Sequence, residues 1–306
     1  MVDVLCIGTV SIDLYYKGDF LTHNQDRFEL AIGGKYFSDF FYESLGGGGA
    51  NVAIGVTKNG LKAGLIAKIG NNPFKKIIIE KLDSEKINHK EFCQHEDEYI
   101  NISSILLTEK GEKTIINYRT PHQKVMTCED DYKNLIKAKA VYMANLSKVA
   151  LEERISILKY AKNNNVKTFV NLNVTDCRRP IEQILHILKQ TDVLIINSHE
   201  FADIVKTGYK SIDFHDDVTA KYAPFQSTFA ALVVTDGARG SFTYINHKVY
   251  HQKAETGVKV ADATGAGDGF TAAFIAKYLK TDGDVQAAMK NGSEYAVKIL
   301  KKIGAN

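Results

Sequence analysis

The chain is poor in cysteine, in arginine and in net charge, and each shortage excludes a class of protein. Its four cysteines are scattered without any C-x-x-C spacing, which argues against a zinc site or a disulfide framework and indicates reduced, intracellular thiols. Lysine supplies most of the positive charge, and the formal net charge is only +3 over 306 residues. No basic block is interleaved with aromatic residues, so we expect neither a nucleic-acid partner nor a membrane partner.

Long apolar runs are also missing. No segment reaches the ~18 apolar residues of a transmembrane helix, and the short apolar stretch at the N-terminus lacks the basic start of a signal peptide. We therefore expect a cytoplasmic protein. Its length is sufficient for one large core and would permit two domains.

Three common phosphate-binding motifs are absent. The sequence has no G-x-x-x-x-G-K-[ST], which excludes a P-loop, and residues 265–269 lack the G-x-G-x-x-G spacing of a dinucleotide site. It also has no H-R-D and D-F-G set of a protein kinase. A chain that transfers a phosphoryl group without these motifs must use other residues.

What is present is an alternation of short apolar runs with helical patterns. Buried strands are predicted at residues 4–8, 64–69, 140–144, 166–172, 193–196 and 231–235. Helices are predicted to begin near Ala50, Pro73, Leu151, Pro180, Ser198, Ala266 and Asp284. This alternation predicts an α/β fold with a mostly parallel central sheet and helices on both faces.

Two regions interrupt the alternation. Residues 15–45 are rich in aromatic side chains, and residues 98–120 contain two strand-like runs joined by Glu-Lys-Gly-Glu, a plausible hairpin turn. We interpret 15–45 and 98–120 as a small β-sheet lid over the site, and 1–14, 46–97 and 121–306 as the α/β core. Surface hairpins without a function are the alternative, but they would leave many aromatic side chains without a partner.

The stretch from Asp262 to Phe270 carries the strongest functional signal. It holds three glycines and two aspartates and opens onto a helical pattern, so residues 265–267 lie in a first turn whose N–H groups lack intrahelical acceptors and attract anions. Asp268 adds a carboxylate to the same turn. An anion cradle beside a general-base candidate suits phosphoryl transfer to a hydroxyl. An ordinary helix N-terminus, in which Asp268 only complements the dipole, is the alternative.

This stretch and the run Gly46-Gly-Gly-Gly-Ala-Asn51 resemble the two signatures of the ribokinase-like (PfkB) carbohydrate kinase family, and further matches spread over nearly the whole chain. The resemblance implies that Asp268 is the catalytic base, which takes the proton of the acceptor hydroxyl as that oxygen attacks the γ-phosphate of ATP. The backbone N–H groups of Gly265, Ala266 and Gly267 would stabilise the charge on the transferred group.

On the acceptor side, the resemblance implies that Asp13, which follows the first strand, accepts hydrogen bonds from substrate hydroxyls. Gly47, Gly48 and Asn51 would contact the substrate as well, with a flexible hinge as the alternative for the glycine run. Ribokinases themselves carry lysine at the position of Gly48, which weakens ribose as the substrate. Arg119 lies on a predicted lid strand, where several sugar-acid kinases place an arginine to meet a carboxylate; a solvated or paired arginine is the alternative.

On the nucleotide side, Asn197-Ser-His-Glu200 matches the N-x-x-E motif of the family, whose glutamate helps to place Mg²⁺ by the ATP phosphates. The same four residues also fit a helix capping box, and both can hold together. Where many members have D-x-N-x-R, this chain has Asn171-Leu-Asn173 without an arginine at the expected step, which weakens the case for an arginine contact to the phosphate. The implied nucleotide contacts are Asn173, Asn197, Thr235, Gly237, Gly240 and Asn291.

The resemblance therefore implies a Mg²⁺–ATP-dependent phosphotransferase that acts on a neutral sugar or a sugar acid. A nucleoside kinase of the same fold and a non-catalytic sugar-binding regulatory protein are the alternatives. The six scattered arginines do not form the cation cluster that a sugar-phosphate acceptor needs. The resemblance also allows a monovalent cation such as K⁺ and a homodimer formed through the lid.

Overall fold

The computed structural model describes residues 1–18, 22–24, 27–96, 98–108, 112–121, 124–146, 149–226 and 231–306. Phe20 of the aromatic segment and residues 109–111 of the predicted hairpin turn lie outside this part of the chain. The strands in the described residues are β1 (Val2–Ile7), β2 (Ser11–Lys17), β3 (Thr22–Asn24), β4 (Arg27–Glu29), β5 (Phe40–Gly46), β6 (Ala63–Ile66), β7 (Lys68–Gly70), β8 (Gln94–Glu96), β9 (Asn101–Leu107), β10 (Lys113–Arg119), β11 (Ala138–Met143), β12 (Lys167–Val170), β13 (Val193–Asn197), β14 (Ala231–Thr235), β15 (Ser241–Ile245) and β16 (Lys248–Gln252).

The helices begin close to the predicted positions. Those in the described residues are α1 (Gly48–Lys58), α2 (Lys75–Ser84), α3 (Glu129–Lys133), α4 (Leu151–Asn163), α5 (Val174–Cys177), α6 (Ile181–Leu188), α7 (Ser198–Val205), α8 (Val218–Lys221), α9 (Ala266–Lys280) and α10 (Val285–Leu300). None of the helices within the described ranges is long and apolar enough to cross a bilayer.

The main sheet has the order β16-β15-β14-β13-β12-β11-β1-β6. Its strands from β14 to β6 run parallel, and β15 and β16 extend one edge in antiparallel pairs. Along β1, Val4 and Cys6 enter the core covered by α1, α9 and α10, while Leu5 and Ile7 enter the core covered by α4, α6 and α7. The sheet is therefore buried on both faces, as the near-continuous apolar runs predict.

The second sheet has four strands in the order β10-β9-β2-β5. β2 pairs parallel with β9 and antiparallel with β5, and β10 pairs antiparallel with β9. Because β2 begins at Ser11, residues 11–14 lie in this small sheet and not in the main sheet, although the sequence assigned them to the core. The aromatic segment buries only part of its rings, since Phe37, Phe40 and Phe41 are exposed.

The pleat of the small sheet sorts its side chains onto two faces. Asp13 stands opposite Ser44 of β5 and Ser103 of β9, and Ser103 stands opposite Asn117 of β10. We call this side, which also includes Tyr15, Tyr42, Ile105 and Arg119, the inner face. The alternate positions form the outer face, which carries Leu14, Tyr16, Phe41, Leu106, Ile116 and Tyr118.

A buried ion pair ties α4 to α5 on the side of the main sheet that α6 and α7 cover. Arg154, only 1% exposed, donates two hydrogen bonds of 2.7 Å to the two carboxylate oxygens of Asp176. Arg179 adds a third contact at 3.1 Å to the same carboxylate. Burial opposes the ionisation of Asp176, but the hydrogen bonds and charges of Arg154 and Arg179 hold its pKa below the usual value.

Replacing Arg154 by Met should destabilise the protein by about 3 kcal/mol at pH 7, because it leaves a buried carboxylate with a single arginine partner. Urea unfolding measures the loss. Arg178→Met is the matched control: the side chain of Arg178 is 67% exposed in its pair with Asp203, so its loss should cost less than ~1 kcal/mol.

The pH dependence gives a second readout of the same pair. Because the folded-state pKa of Asp176 is lowered, its stabilisation is complete above the unfolded-state pKa of about 4 and disappears as the pH falls through the folded-state pKa. The difference between wild type and Arg154→Met should therefore shrink in acid. An equal loss for both arginine variants, or a difference that grows in acid, would contradict this account.

Candidate functional site

The first turn of α9 forms an anion-binding arrangement of backbone groups. Its N-cap residue, Gly265, has φ +75°, and a Cβ there would come within 2.7 Å of the Cα of Ala305, so only glycine fits. Among the described residues, the N–H groups of Gly265, Gly267 and Asp268 have no hydrogen-bond acceptor, and that of Ala266 makes only a long bond of 3.5 Å to Ala263. A Cβ on Gly267 would meet nothing within 4 Å. The turn can therefore receive an anion at close range.

Asp268 sits in this turn as a candidate base. Its Oδ2 accepts a hydrogen bond of 2.8 Å from Nδ2 of Asn51, which lies in α1. Burial raises the pKa of Asp268 to about 6, against the opposing effect of the Asn51 hydrogen bond. A carboxylate with a pKa of about 6 is ionised at neutral pH and is a stronger proton acceptor than an ordinary aspartate.

Asp262 holds the loop that precedes this turn. Its fully buried carboxylate accepts hydrogen bonds from the backbone and the hydroxyl of Thr264, from Lys113 of β10 at 3.0 Å and from the N–H of Gly304 at 3.2 Å. Burial acts to raise the pKa of Asp262, and the hydrogen bonds from Thr264 and Lys113 lower it below the usual value. Asp262 is thus an anion that orders the loop.

Asp13 lies on the inner face of the small sheet, 5% exposed. Its Oδ1 accepts a hydrogen bond of 3.0 Å from Ser11, and Ser103 is a second hydrogen-bond partner. Burial raises the pKa of Asp13, while the two serine hydrogen bonds and the charge of Arg119 counteract it. Next to it, a Cβ on Gly46 would collide with the carboxylate at 2.1 Å, so the glycine run packs directly on Asp13.

The other predicted acceptor contacts converge on the same place. Gly47 has φ +91° and carries the chain into α1, and a Cβ on Gly48 would lie 3.9 Å from Oδ1 of Asp268. The exposed Arg119 donates to Asn101 at 3.2 Å. Gly48, Asn51 and Asp268 therefore adjoin one another, and Asp13 and Arg119 share the inner face of the small sheet.

A cleft of about 690 Å³ opens on the other side of the α9 turn. Thr235, Gly237 and Gly240 line it, together with Ala266 and Gly267. The α10 side chains in its wall are Ser293, Ala296, Val297 and Leu300. Its size and its largely apolar wall fit a nucleotide base and ribose.

Asn291 was predicted to lie against the adenine, but it does not line this cleft. Its amide donates hydrogen bonds to the carbonyl of Ala273, at 2.8 Å, and to Asn59, at 3.1 Å. These contacts tie α10 to α9 and to the end of α1, and a nucleotide contact of Asn291 stays a prediction.

A smaller cavity of about 140 Å³ connects the base to the predicted metal residue. Asn197, Glu200, Thr235, Gly267 and Asp268 line it. Asn197 and Glu200 form the capping box of α7: Oδ1 of Asn197 accepts from the Glu200 N–H at 2.8 Å, and Oε2 of Glu200 accepts from the Asn197 N–H at 2.9 Å. Burial raises the pKa of Glu200 to about 7, although hydrogen bonds from Asn197 lower it.

The described residues contain no group of three or more His, Cys, Asp or Glu side chains that could hold a metal ion. A single carboxylate is nevertheless sufficient for Mg²⁺ when phosphate oxygens and water supply the other ligands. Among the described residues, Oε1 of Glu200 has no hydrogen-bond donor, and it is the free acceptor that such a site requires.

Asn173 was predicted to contact the nucleotide, and the structure gives it another role. It caps α5, with Oδ1 accepting from the Asp176 N–H at 2.9 Å and Nδ2 donating to the Asp176 carboxylate and to Asn145. Its amide is thus occupied by the buried Arg154–Asp176 pair. The later arginines, Arg178 and Arg179, are engaged in pairs with Asp203 and Asp176.

Sequence reasoning missed several residues that lie near Asp13, Asn51 and Asp262. Ser103 and Asn117 stand in register with Asp13 across the small sheet, Lys113 reaches the Asp262 loop from the same face, and Asn306 donates to Asn51 at 3.1 Å. Ser103 and Asn117 could have been identified from their positions opposite Asp13 in the paired strands, but only once the strand register was known.

Comparison with known proteins agrees with this geometry. The model of the family described as pfkB family carbohydrate kinase matches residues 1–306. The chain is 28% identical over 255 residues to a probable fructokinase-5 of Arabidopsis thaliana, which covers 80% of this chain and 76% of that protein. It is 22% identical over 295 residues to a 5-dehydro-2-deoxygluconokinase of Mesomycoplasma hyopneumoniae, covering 93% and 83% of the two chains.

Solved structures share the fold. Ribokinase of Arabidopsis thaliana, complexed with ribose and ATP, superposes with a TM-score of 0.81 at 20% identity, covering 99% of this chain and 94% of that one. A nucleoside kinase of Methanocaldococcus jannaschii gives 0.74 at 20% identity, covering 100% and 93%. The predicted ribokinase-like fold with its small second sheet is confirmed, and the match of the family model over the full length establishes that the chain belongs to the pfkB family of carbohydrate kinases.

Proposed function

We propose that this carbohydrate kinase moves the γ-phosphate of ATP to a hydroxyl of a small sugar or sugar acid, with Asp268 as the general base. One observation carries the proposal: an aspartate whose pKa is raised to about 6 stands in the same helical turn as three backbone N–H groups that have no acceptor among the described residues. Proton removal and charge stabilisation are thus available within one turn.

In this mechanism the acceptor hydroxyl lies against Asp268, on the side of Gly48. Asp268 removes its proton as the oxygen attacks phosphorus, and the bond from phosphorus to the ADP oxygen breaks. The N–H groups of Gly265, Ala266 and Gly267 stabilise the negative charge of the transferred group. The buried Asp262 keeps the loop in place without taking part in proton transfer.

ATP would bind in the large cleft with its phosphates toward Gly267, which lines both the cleft and the small cavity. Thr235, Gly237 and Gly240 are the proposed nucleotide contacts. Glu200, together with Asn197, would hold Mg²⁺, which neutralises phosphate charge when bound. A monovalent cation such as K⁺ and a cytoplasmic location stay predictions.

The end of the inner face that carries Asp13 favours a hydroxylated acceptor over a nucleobase, whereas Tyr15, Tyr42 and Ile105 occupy the same face further along the strands. The groups next to Asp13 are the hydroxyls of Ser11 and Ser103, and Ser44 stands opposite in register. Hydroxyls and a carboxylate recognise sugar hydroxyls through hydrogen bonds, whereas a base requires an aromatic or apolar surface. Arg119 adds a cation that would suit a sugar acid. A nucleoside is therefore the second candidate, and a non-catalytic sugar-binding protein the third.

Asp268→Asn should lower kcat by at least ~100-fold, because the amide cannot accept the hydroxyl proton. The measurement is ADP release over a panel of neutral sugars, sugar acids, sugar phosphates and nucleosides. Asp130→Asn is the matched control, since Asp130 is 81% exposed and pairs only with Lys133 of its own helix. If only nucleosides are turned over, the acceptor is a nucleoside and not a sugar. If Asp268→Asn turns over its acceptor as fast as wild type, Asp268 is not the base. ATP binding without turnover of any acceptor would favour the binding protein.

The acid limb of the pH profile should follow Asp268. Because its pKa is raised to about 6 and the base must be ionised, kcat/KM for the acceptor should fall about tenfold per pH unit below pH 6. The profile is measured at saturating Mg²⁺ and ATP. Glu200→Gln removes the carboxyl with a raised pKa that shares the small cavity with Asp268, so its residual activity should keep the same limb. A limb that vanished in Glu200→Gln would assign the titration to Glu200.

The outer face of the small sheet supports a homodimer formed through the lid. Phe41, Ile116 and Tyr118 are 56%, 61% and 59% exposed and share one side of the sheet. Apolar side chains grouped in this way on a monomer mark an interaction surface. A second copy of the same chain is the simplest partner, since a two-fold contact would cover both apolar faces at once.

The double variant Phe41→Asp/Ile116→Asp should be a monomer where wild type is a dimer, because charged side chains would be buried without partners in the interface. Sedimentation velocity at micromolar concentrations measures the mass. Asp130→Lys in α3 changes charge away from the small sheet and should leave the mass unchanged. A monomeric wild type would contradict the dimer.

A further inference from the structure

Three side-chain amide and carboxylate groups form a chain of hydrogen bonds that ends at the proposed base. Nδ2 of Asn306 donates to the carbonyl of Leu45 at 2.8 Å and to Oδ1 of Asn51 at 3.1 Å. Nδ2 of Asn51 then donates to Oδ2 of Asp268 at 2.8 Å. Asn306 lies in the polypeptide segment that follows α10, Asn51 lies in α1 and Asp268 lies in α9, so only the folded protein brings the three residues together.

The direction of this chain is fixed at one end. A backbone carbonyl can only accept, so the side of Asn306 that meets Leu45 must be its NH₂ group. The second hydrogen of that group reaches Asn51, whose oxygen must therefore face Asn306. The NH₂ group of Asn51 is then the side that meets Asp268. An ionised Asp268 also only accepts and favours the same orientation of Asn51. Without Asn306, however, the amide of Asn51 is free to turn by 180° when Asp268 is protonated, and its oxygen would then accept the proton of Asp268.

The donor-to-acceptor direction of these hydrogen bonds, from Asn306 through Asn51 to Asp268, distinguishes the two oxygens of Asp268. Oδ2 is occupied by the hydrogen of Asn51. Oδ1 lies on the side of Gly48, where a Cβ would be 3.9 Å away, and among the described residues it accepts no hydrogen bond. Oδ1 is therefore the oxygen available to the proton of the acceptor hydroxyl.

The segment that carries Asn306 is held by the catalytic loop itself. Gly304 donates its N–H to the buried Asp262, and Ala305, 3% exposed, packs on Gly265 so closely that a Cβ there could not fit. Both contacts are independent of any substrate. Asn306 is thus positioned before the acceptor binds.

We propose that Asn306 is a positioning residue for the phosphotransfer: it fixes the amide of Asn51 so that Asn51 donates to Oδ2 of Asp268 and leaves Oδ1 to take the proton. This inference rests on the proposed role of Asp268 as the base. It assigns to Asn51 a second task besides substrate contact.

Asn306→Ala should lower kcat about 10-fold, a fraction of the ~10²–10⁴-fold that a general base contributes, and change the acceptor KM less than twofold. Asn306→Asp should cost more, about 100-fold, because Asn51 would turn its NH₂ group to the new carboxylate and its oxygen to Asp268. Asn164→Ala is the matched control: its amide donates to Tyr160 at the end of α4, and kcat should not change.

A double-mutant cycle separates positioning from a merely structural role. If Asn306 acts through Asn51, Asn306→Ala should change kcat less than twofold in an Asn51→Ala background, because the group it orients is gone. A further tenfold loss in that background, with the thermal midpoint of unfolding unchanged, would overturn the proposal.

The pKa of Asp268 supplies a readout that needs no turnover. It is followed by NMR of protein labelled with ¹³C-carboxyl aspartate. Both Asn306 variants should raise it above the wild-type value, because an Asn51 amide that is free to turn can accept a hydrogen bond from the protonated form of Asp268. Two other titratable groups face this region: Tyr142 of β11, whose pKa burial raises well above its ordinary value, and Glu200 across the small cavity. Asn306 has no hydrogen bond to either, so the shift should be confined to Asp268.

The two proposals can fail separately. An unchanged pKa of Asp268 in both Asn306 variants would overturn the role of Asn306 even if wild type phosphorylates a sugar. A wild type that binds ATP but turns over no acceptor would remove the proposed function, and the NMR titration would still decide whether Asn306 orients Asn51.

Discussion

One fully buried carboxylate, that of Asp262, joins three parts of the chain that are distant in sequence. It accepts hydrogen bonds from Thr264 of its own loop, from Lys113 of the small sheet and from Gly304 near the end of the chain. A buried charge is tolerated only when its acceptor positions are filled. Loop, small sheet and tail must therefore come together, and the anion-binding turn that starts at Gly265 takes its position from this cluster.

The loop and the first turn of α9 hold two aspartates whose environments shift their pKa values in opposite directions. Asp262 receives several donors, including the ammonium group of Lys113, so its pKa is lowered. Asp268 receives one amide hydrogen bond, from Asn51, so burial dominates and raises its pKa to about 6. Six residues apart, one carboxylate is a permanent anion that organises the loop and the other is able to exchange a proton. Such separation of neighbouring carboxyl groups is typical of acid–base sites.

The sequence was sufficient for features that depend on local burial. β14 and the start of α9 coincide with the predicted positions, because apolar runs and a glycine-rich first turn are local signals. Contacts between distant segments carry no such signal. Asn173 has the residue type of a nucleotide contact, but the buried Arg154 requires a partner, and Asp176 with Asn173 meets that need. Asn306 reaches the site only through the folding of the tail, which no motif encodes.

The alternation of side chains in the small sheet has a consequence for how relatives diverge. Residues of the inner face, where we propose that the acceptor binds, and residues of the outer face occupy successive positions of the same strands. Substitution can therefore change acceptor chemistry at Ser103 or Asn117 while the opposite surface stays as it is. A one-residue insertion in β9 or β10 would instead exchange both sets at once. Point substitutions can thus change acceptor preference alone, whereas a change in strand length would also alter the outer face.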